Sequence, residues 1–234
     1  MVDDSKHQPI ADRPERSNSI AGVKPVAPDA ALVAASEQLF GAQVNIASQY
    51  AGFLATVGVD RGLLGPREAS RIWDRHLLNC APVAELIPQN SDVLDVGSGA
   101  GLPGIALAIA RPDLRVTLLE PLLRREQFLT QVVKELGLSQ VSVVRGRVEA
   151  VAKSLPTMNI VTARAVAPLE RLLDWCIPLL GRGGRLLAMK GGSAEEEVAE
   201  ASAKLAKLRV HGVRVVRCGN GTVSPSVVVV EVTK

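Results

Sequence analysis

Aromatic side chains are scarce in this chain: two Trp, one Tyr and three Phe make up 3% of 234 residues, although 47% are hydrophobic. A core must then be filled by Val, Leu, Ile and Ala, which suits a parallel sheet buried beneath helices. Cysteine is equally rare. Cys80, Cys176 and Cys218 are odd in number and lack CxxC spacing, so neither a disulfide framework nor a zinc site is indicated, and they read as small buried hydrophobes. No metal site is expected. No apolar run reaches the roughly 18 residues of a membrane span, and no basic segment followed by an apolar stretch marks a secretory leader. These features predict a cytoplasmic protein that does not engage a membrane. The 27 Lys and Arg against 24 Asp and Glu leave a net charge of +3, a weak pointer to a polyanionic partner.

The length fits one domain with short extensions. Residues 1–29, rich in Pro, Asp, Ser and Arg without apolar periodicity, are expected to form a disordered tail. Residues 30–90 read as an N-terminal helical cap of two helices. The first runs from Ala30 to Val57 and is stopped by the Gly-rich turn Gly58 to Gly65; the second starts at Pro66 and runs toward Ile87. From about residue 91 to 234, short β runs alternate with helical stretches, predicting βαβ units on a parallel sheet. Strands are expected at 93–96, 116–120, 141–144, 160–163, 185–189, 210–217 and 227–232. The last two are joined through Gly219, Asn220, Gly221 and Pro225 with no room for a helix, so they should pair as an antiparallel hairpin.

The most informative segment is Val93-Leu94-Asp95-Val96-Gly97-Ser98-Gly99-Ala100-Gly101-Leu102-Pro103-Gly104, a strand entering a glycine-rich turn and then a helix. Glycines let the backbone bend and approach a ligand, and the helix that follows offers unpaired N–H groups. Read from Gly99, the segment satisfies G-x-G-x-x-G, and Glu120 ends the next strand, where an acid can hold ribose hydroxyls. A nicotinamide-dependent oxidoreductase therefore remains an alternative. Asp95, two positions before Gly97, would repel a pyrophosphate and suits the cationic end of S-adenosylmethionine. The terminal hairpin points the same way.

The segment from Asp95 to Gly104, followed by Ile109-Ala110-Arg111-Pro112, resembles the glucose-inhibited division protein B family of ribosomal RNA guanine-N7 methyltransferases. The resemblance extends from about Arg71 to the C-terminus through Asp74-Arg75-His76-Leu77-Leu78-Asn79, Leu118-Leu119-Glu120 with Arg124-Arg125 and Phe128-Leu129, Arg147-Val148-Glu149, Arg164-Ala165 and Met189-Lys190-Gly191. It implies an α/β, Rossmann-like class I methyltransferase fold: a mostly parallel seven-stranded sheet ending in an antiparallel hairpin, with an N-terminal helical extension. It implies S-adenosylmethionine as cofactor, contacted by Gly97, Leu102, Val148, Glu149 and Arg164, with Glu120 on the ribose; the reading of the turn itself adds Asp95 and Gly99 to the cofactor-binding residues. It implies small-subunit ribosomal RNA or the ribosomal particle as partner; the chain is expected to act as a monomer. Two departures stand out. Ala163 occupies a position where the family usually has Ser, and the N-terminal region lacks the Asn-Leu-Thr segment common in relatives.

Guanine N7 carries an in-plane lone pair, so its methylation needs alignment and no general base. Arg164, Arg147 and Lys190, expected at or just after strand C-termini, are the candidate catalytic residues, since their donors can hold guanine O6 or phosphate and leave N7 free. Arg75 and His76 could help close the site. Arg111, Arg115, Arg124 and Arg125 are candidates for a basic stripe along RNA, and Trp73 and Trp175 are expected in the core. A non-catalytic RNA-binding assembly factor is the second alternative.

Overall fold

The computed structural model describes residues 22–234. Its strands are β1 (Asp92–Val96), β2 (Arg115–Glu120), β3 (Val141–Arg145), β4 (Met158–Arg164), β5 (Leu180–Lys190), β6 (Gly212–Cys218) and β7 (Val227–Thr233), in one sheet of order β3-β2-β1-β4-β5-β7-β6. β1 to β5 pair in parallel, while β7 runs antiparallel to both β5 and β6. This is the Rossmann-like class I arrangement expected from the sequence, including the closing hairpin. The chain moves outward from β1 through β2 to β3 and then crosses back to β4. That reversal opens a crevice beyond the C-terminal ends of β1 and β4, the place where open α/β sheets bind ligands.

Both faces of the sheet are covered. Alternate residues of each strand point to opposite faces, so Val93, Leu118 and Ile160 join one buried cluster and Leu94, Leu119 and Val161 the other. The first cluster includes α4 (Gly104–Ala110), α5 (Leu123–Glu135) and the cap; α7 (Leu169–Cys176), α8 (Ala194–Glu200) and α9 (Ser202–Leu208) contribute to the second, on the side of the short α6 (Val148–Val151). Trp73 packs edge-on against Phe40 in the cap, with ring centroids 6.0 Å apart.

The cap is more broken than its apolar pattern suggests. The first helix divides into α1 (Val33–Phe40) and α2 (Val44–Phe53) at Gly41, whose φ of 51° and ψ of −127° suit glycine alone. The second becomes a 3-10 segment Pro66–Arg71, a π-helical turn Ile72–Leu77, α3 (Leu78–Cys80) and a 3-10 segment Ala81–Leu86, where Pro82 supplies no N–H donor. Of the expected tail, residues 1–21 lie outside the described residues. The remainder packs against the cap: the Val26 N–H donates to the Ser48 carbonyl at 2.9 Å and the Trp73 indole donates to the Val26 carbonyl at 2.8 Å. Gly52 lets the Lys24 backbone pass where a Cβ would collide.

Candidate active site

β1 delivers the chain into a turn whose Gly97, Gly99 and Gly101 have φ of 69°, 59° and 97°. A Cβ on Gly97 would come within 2.9 Å of Val166 Cγ2, so this backbone is both left-handed and closely approached. The N–H groups of Gly97 and Ser98 donate to the Leu119 carbonyl at 2.8 and 3.1 Å, tying the turn to β2. Glu120, at the end of β2, is buried; it accepts from the Gly99 N–H at 3.0 Å and from the Leu122 N–H at 3.0 Å.

Asp95 lies beneath the turn. Its Oδ2 accepts from the Gly104 N–H at 3.1 Å, and its Oδ1 has no hydrogen-bond partner among the described residues. Burial pushes the carboxyl up to about 7, against the hydrogen bond from Gly104 that favours ionisation, while the Ser98 hydroxyl donates to the Asp95 backbone carbonyl at 2.9 Å.

Two adjoining cavities open at the C-terminal ends of the strands. The first, of about 190 Å³, is walled by Val96, Leu119, Val148, Val166 and Trp175 and includes Arg147 and Glu149. The second, of about 430 Å³, shares Gly97, Pro121 and Val166 with it and is lined by Gly99, Leu102, Glu120, Arg125 and Arg164, together with Leu63 and Leu64 from the cap. The apolar first cavity fits a flat heteroaromatic ring; the second, roomier and less apolar than the first, places an acid and a cation in one space.

Arg164 ends β4 and is followed by Ala165 at φ 54°, a left-handed conformation rare for a residue with a side chain. Its guanidinium reaches into the cap. Nη2 meets His76 Nδ1 at 2.9 Å, while Nη1 donates to the Arg75 carbonyl at 3.4 Å and to Cys80 Sγ at 3.3 Å. His76 Nε2 in turn meets Glu68 Oε2 at 2.9 Å, and Arg75 Nη1 donates to Glu68 Oε1 at 3.0 Å.

The candidate residues do not all converge. Gly97 borders both cavities, Gly99, Leu102, Glu120 and Arg164 line the second, and Val148 and Glu149 line the first. Asp95 lines neither. Arg147 sits in the first cavity, away from Arg164, because it immediately precedes α6 with Val148 and Glu149. Lys190 is withdrawn from the rim: its Nζ donates to the Ala167 carbonyl at 2.9 Å and to Glu197 Oε2 at 2.7 Å, and its side chain is 9% exposed.

The basic stripe also divides. Arg115 pairs with Asp92 at the start of β2, about 16 Å along the strand from its Glu120 end, and Arg111 is bound to Asp113 and cap carbonyls. Trp73 is a core residue at 4% exposure, whereas Trp175 borders the first cavity with Arg171 over its ring at 5.5 Å. The sequence reading missed Trp175 as a site residue because its helical spacing looks like core packing. It missed Glu68, Leu63 and Leu64 because nothing local links the cap to the crevice.

The chain matches the family described as rRNA small subunit methyltransferase G over residues 43–226, from the cap to the start of β7. The chain belongs to that family. It is the same family that the sequence motifs resemble. The ribosomal RNA small subunit methyltransferase G of Salinispora tropica is 55% identical over 219 residues, covering 91% of this chain and 90% of the relative. That of Thermobifida fusca is 57% identical over 199 residues, covering 85% and 84%. Among solved structures, a SAM-dependent methyltransferase from Aquifex aeolicus superposes with a TM-score of 0.51 at 20% identity over 73% of this chain and 98% of its own, a likeness of fold. Membership of this family sets aside the oxidoreductase alternative that the glycine spacing left open.

Proposed function

We propose that this chain transfers a methyl group from S-adenosylmethionine to N7 of a guanosine in 16S small-subunit ribosomal RNA, acting in the cytoplasm as a monomer on the RNA or the ribosomal particle. The observation that carries the reading is the second cavity, in which Glu120 and Arg164 face one space beside an apolar recess.

The residues present fit this cofactor. Val148, Val166 and Trp175 offer apolar surface to adenine, with Glu149 as an acceptor for its amino group. Glu120, already locked by two backbone N–H groups, would hold ribose hydroxyls, and the Cβ-free edge of Gly97 admits the chain between the two ends of the molecule. Asp95, from behind the turn, would act on the cationic end through its field and by bracing Gly104. When bound, S-adenosylmethionine supplies an electrophilic methyl group on sulfur.

The chain's own contribution to chemistry is alignment. N7 needs no deprotonation, and a guanidinium whose remaining donors reach O6 or a phosphate orients the base without competing for N7. Exposed Leu122 beside the cavity, with Leu63 and Leu64, gives an unstacked base apolar surface to lie against.

The test is incubation of the purified protein and S-adenosylmethionine with small subunits lacking the modification, then nuclease digestion and mass spectrometry of nucleosides and fragments. 7-Methylguanosine at one site is expected. Binding of cofactor and RNA without any methylated nucleoside would favour a non-catalytic assembly role.

A further inference from the structure

Resting on the reading that Arg164 faces the methyl acceptor, we propose that His76 is a positioning residue: Glu68 fixes its tautomer, and its unprotonated Nδ1 aims Arg164 into the second cavity. An arginine side chain has donors and no acceptor, so the 2.9 Å contact from Arg164 Nη2 requires a lone pair on Nδ1. The proton of the neutral ring is then on Nε2, where it is donated to Glu68 Oε2 at 2.9 Å. Glu68 is itself anchored by Arg75 at 3.0 Å. The three groups come from three places: the 3-10 segment Pro66–Arg71, the π-helical turn Ile72–Leu77 and the end of β4.

A histidine does here what a carboxylate could not. It orients the guanidinium without neutralising it, and among the described residues no carboxylate forms an ion pair with Arg164. The positive charge therefore stays available to an RNA phosphate or guanine O6. The other contacts of Arg164, the Arg75 carbonyl and Cys80 Sγ, are likewise uncharged acceptors.

Protonation of His76 would remove the lone pair and set two cations against each other. The charged and titratable groups acting on it are Glu68 from the 3-10 segment, Arg75 from its own turn and Arg164 from β4; the charge of Arg164 also reaches Tyr50, Cys80 and Asp95. Burial first, and then the charge of Arg164, holds the imidazole below its ordinary range, with Glu68 opposing. The ring is thus neutral at physiological pH, and Arg164 is released only on acidification.

Two measurements test the assignment. The first is the pH profile of single-turnover methyl transfer to small subunits at saturating S-adenosylmethionine, with S-adenosylhomocysteine affinity followed in parallel. The wild-type rate should fall about tenfold per pH unit below the His76 ionisation. His76→Ala should lower the rate about 10–100-fold with cofactor affinity retained. His76→Asn, which restores an acceptor that does not titrate, should be less impaired and should lose the acid fall. Persistence of that fall in His76→Asn, or a His76→Ala rate equal to wild type, would overturn the proposal.

The second measurement needs no activity. The chain holds three histidines, His7, His76 and His211, so long-range nitrogen–proton NMR resolves His76 by its loss in His76→Asn. The Nε2–H tautomer is expected at pH 7, with a higher ionisation pH in Arg164→Met. A protonated ring or an Nδ1–H tautomer would reject the positioning role even if RNA is methylated. The expected tautomer without any methylation by wild type would instead reject the functional reading and leave the His76–Arg164 contact standing.

Discussion

The Tyr50 hydroxyl, buried in the cap, donates at 2.8 Å to the carbonyl of Ala100 in the middle of the glycine-rich turn. The only tyrosine of the chain thus ties α2 to the backbone that would cradle the cofactor. It also lies so near Gly101 that a Cβ there would be 2.9 Å from its oxygen. Tyr50→Phe should leave the carbonyl unsatisfied at a cost of about 1–3 kcal/mol, lowering the thermal midpoint and S-adenosylhomocysteine affinity together. Calorimetry and titration of the same preparation check this. A loss of stability with unchanged affinity would confine the tyrosine to the cap.

Gly97→Ala should fold and bind cofactor poorly. Its Cβ would require a left-handed backbone and would press on Val166, a wall common to both cavities. Strain of about 1–3 kcal/mol predicts a fall in S-adenosylhomocysteine affinity of roughly tenfold, measurable by isothermal titration. Gly183→Ala, at φ 73° with open space around it, carries similar backbone strain far from the crevice and should bind normally.

Asp95 gives a pH signature. An unfolded aspartate ionises near 3.9, whereas burial raises the folded group to about 7. Between these values the folded state binds the extra proton, so this group's contribution to stability is largest at acid pH, declines from about pH 4 to about pH 7 and then levels off. Asp95→Asn cannot titrate. The wild-type minus variant stability difference from urea unfolding should follow that decline; a flat difference would mean that Asp95 stays ionised in the fold.

Much of this was legible in advance. The strand–turn–helix from Val93 to Gly104 and the closing hairpin follow from local rules, since a strand leading into clustered glycines has few other conformations and a short loop forbids a crossover. Glu120 follows from its place at the end of β2. The strand-end position of Lys190 says nothing of Glu197, which is brought to it by α8. Arg147, likewise near a strand end, lines the adjoining cavity. The breaks in the cap, and the contact between His76 and Arg164 across 88 residues, depend on tertiary packing that no periodicity encodes.

Trp175 offers an optical report on the first cavity, because the other tryptophan, Trp73, is enclosed in the cap. Addition of S-adenosylhomocysteine should change the emission of wild type and of Trp73→Phe but not of Trp175→Phe. Trp175→Ala should weaken binding by about 1–3 kcal/mol, the range for loss of an aromatic surface against a base. An unaltered affinity would remove adenine from this cavity.

The proposed role of Arg164 is to present the acceptor in the crevice between β1 and β4. It is tested most directly by single-turnover methyl transfer from labelled S-adenosylmethionine to unmodified small subunits, comparing wild type with Arg164→Ala at saturating cofactor. Label at guanine N7 is expected with wild type, at a rate about 10²-fold lower in the variant. Equal rates, or label on another atom, would contradict it.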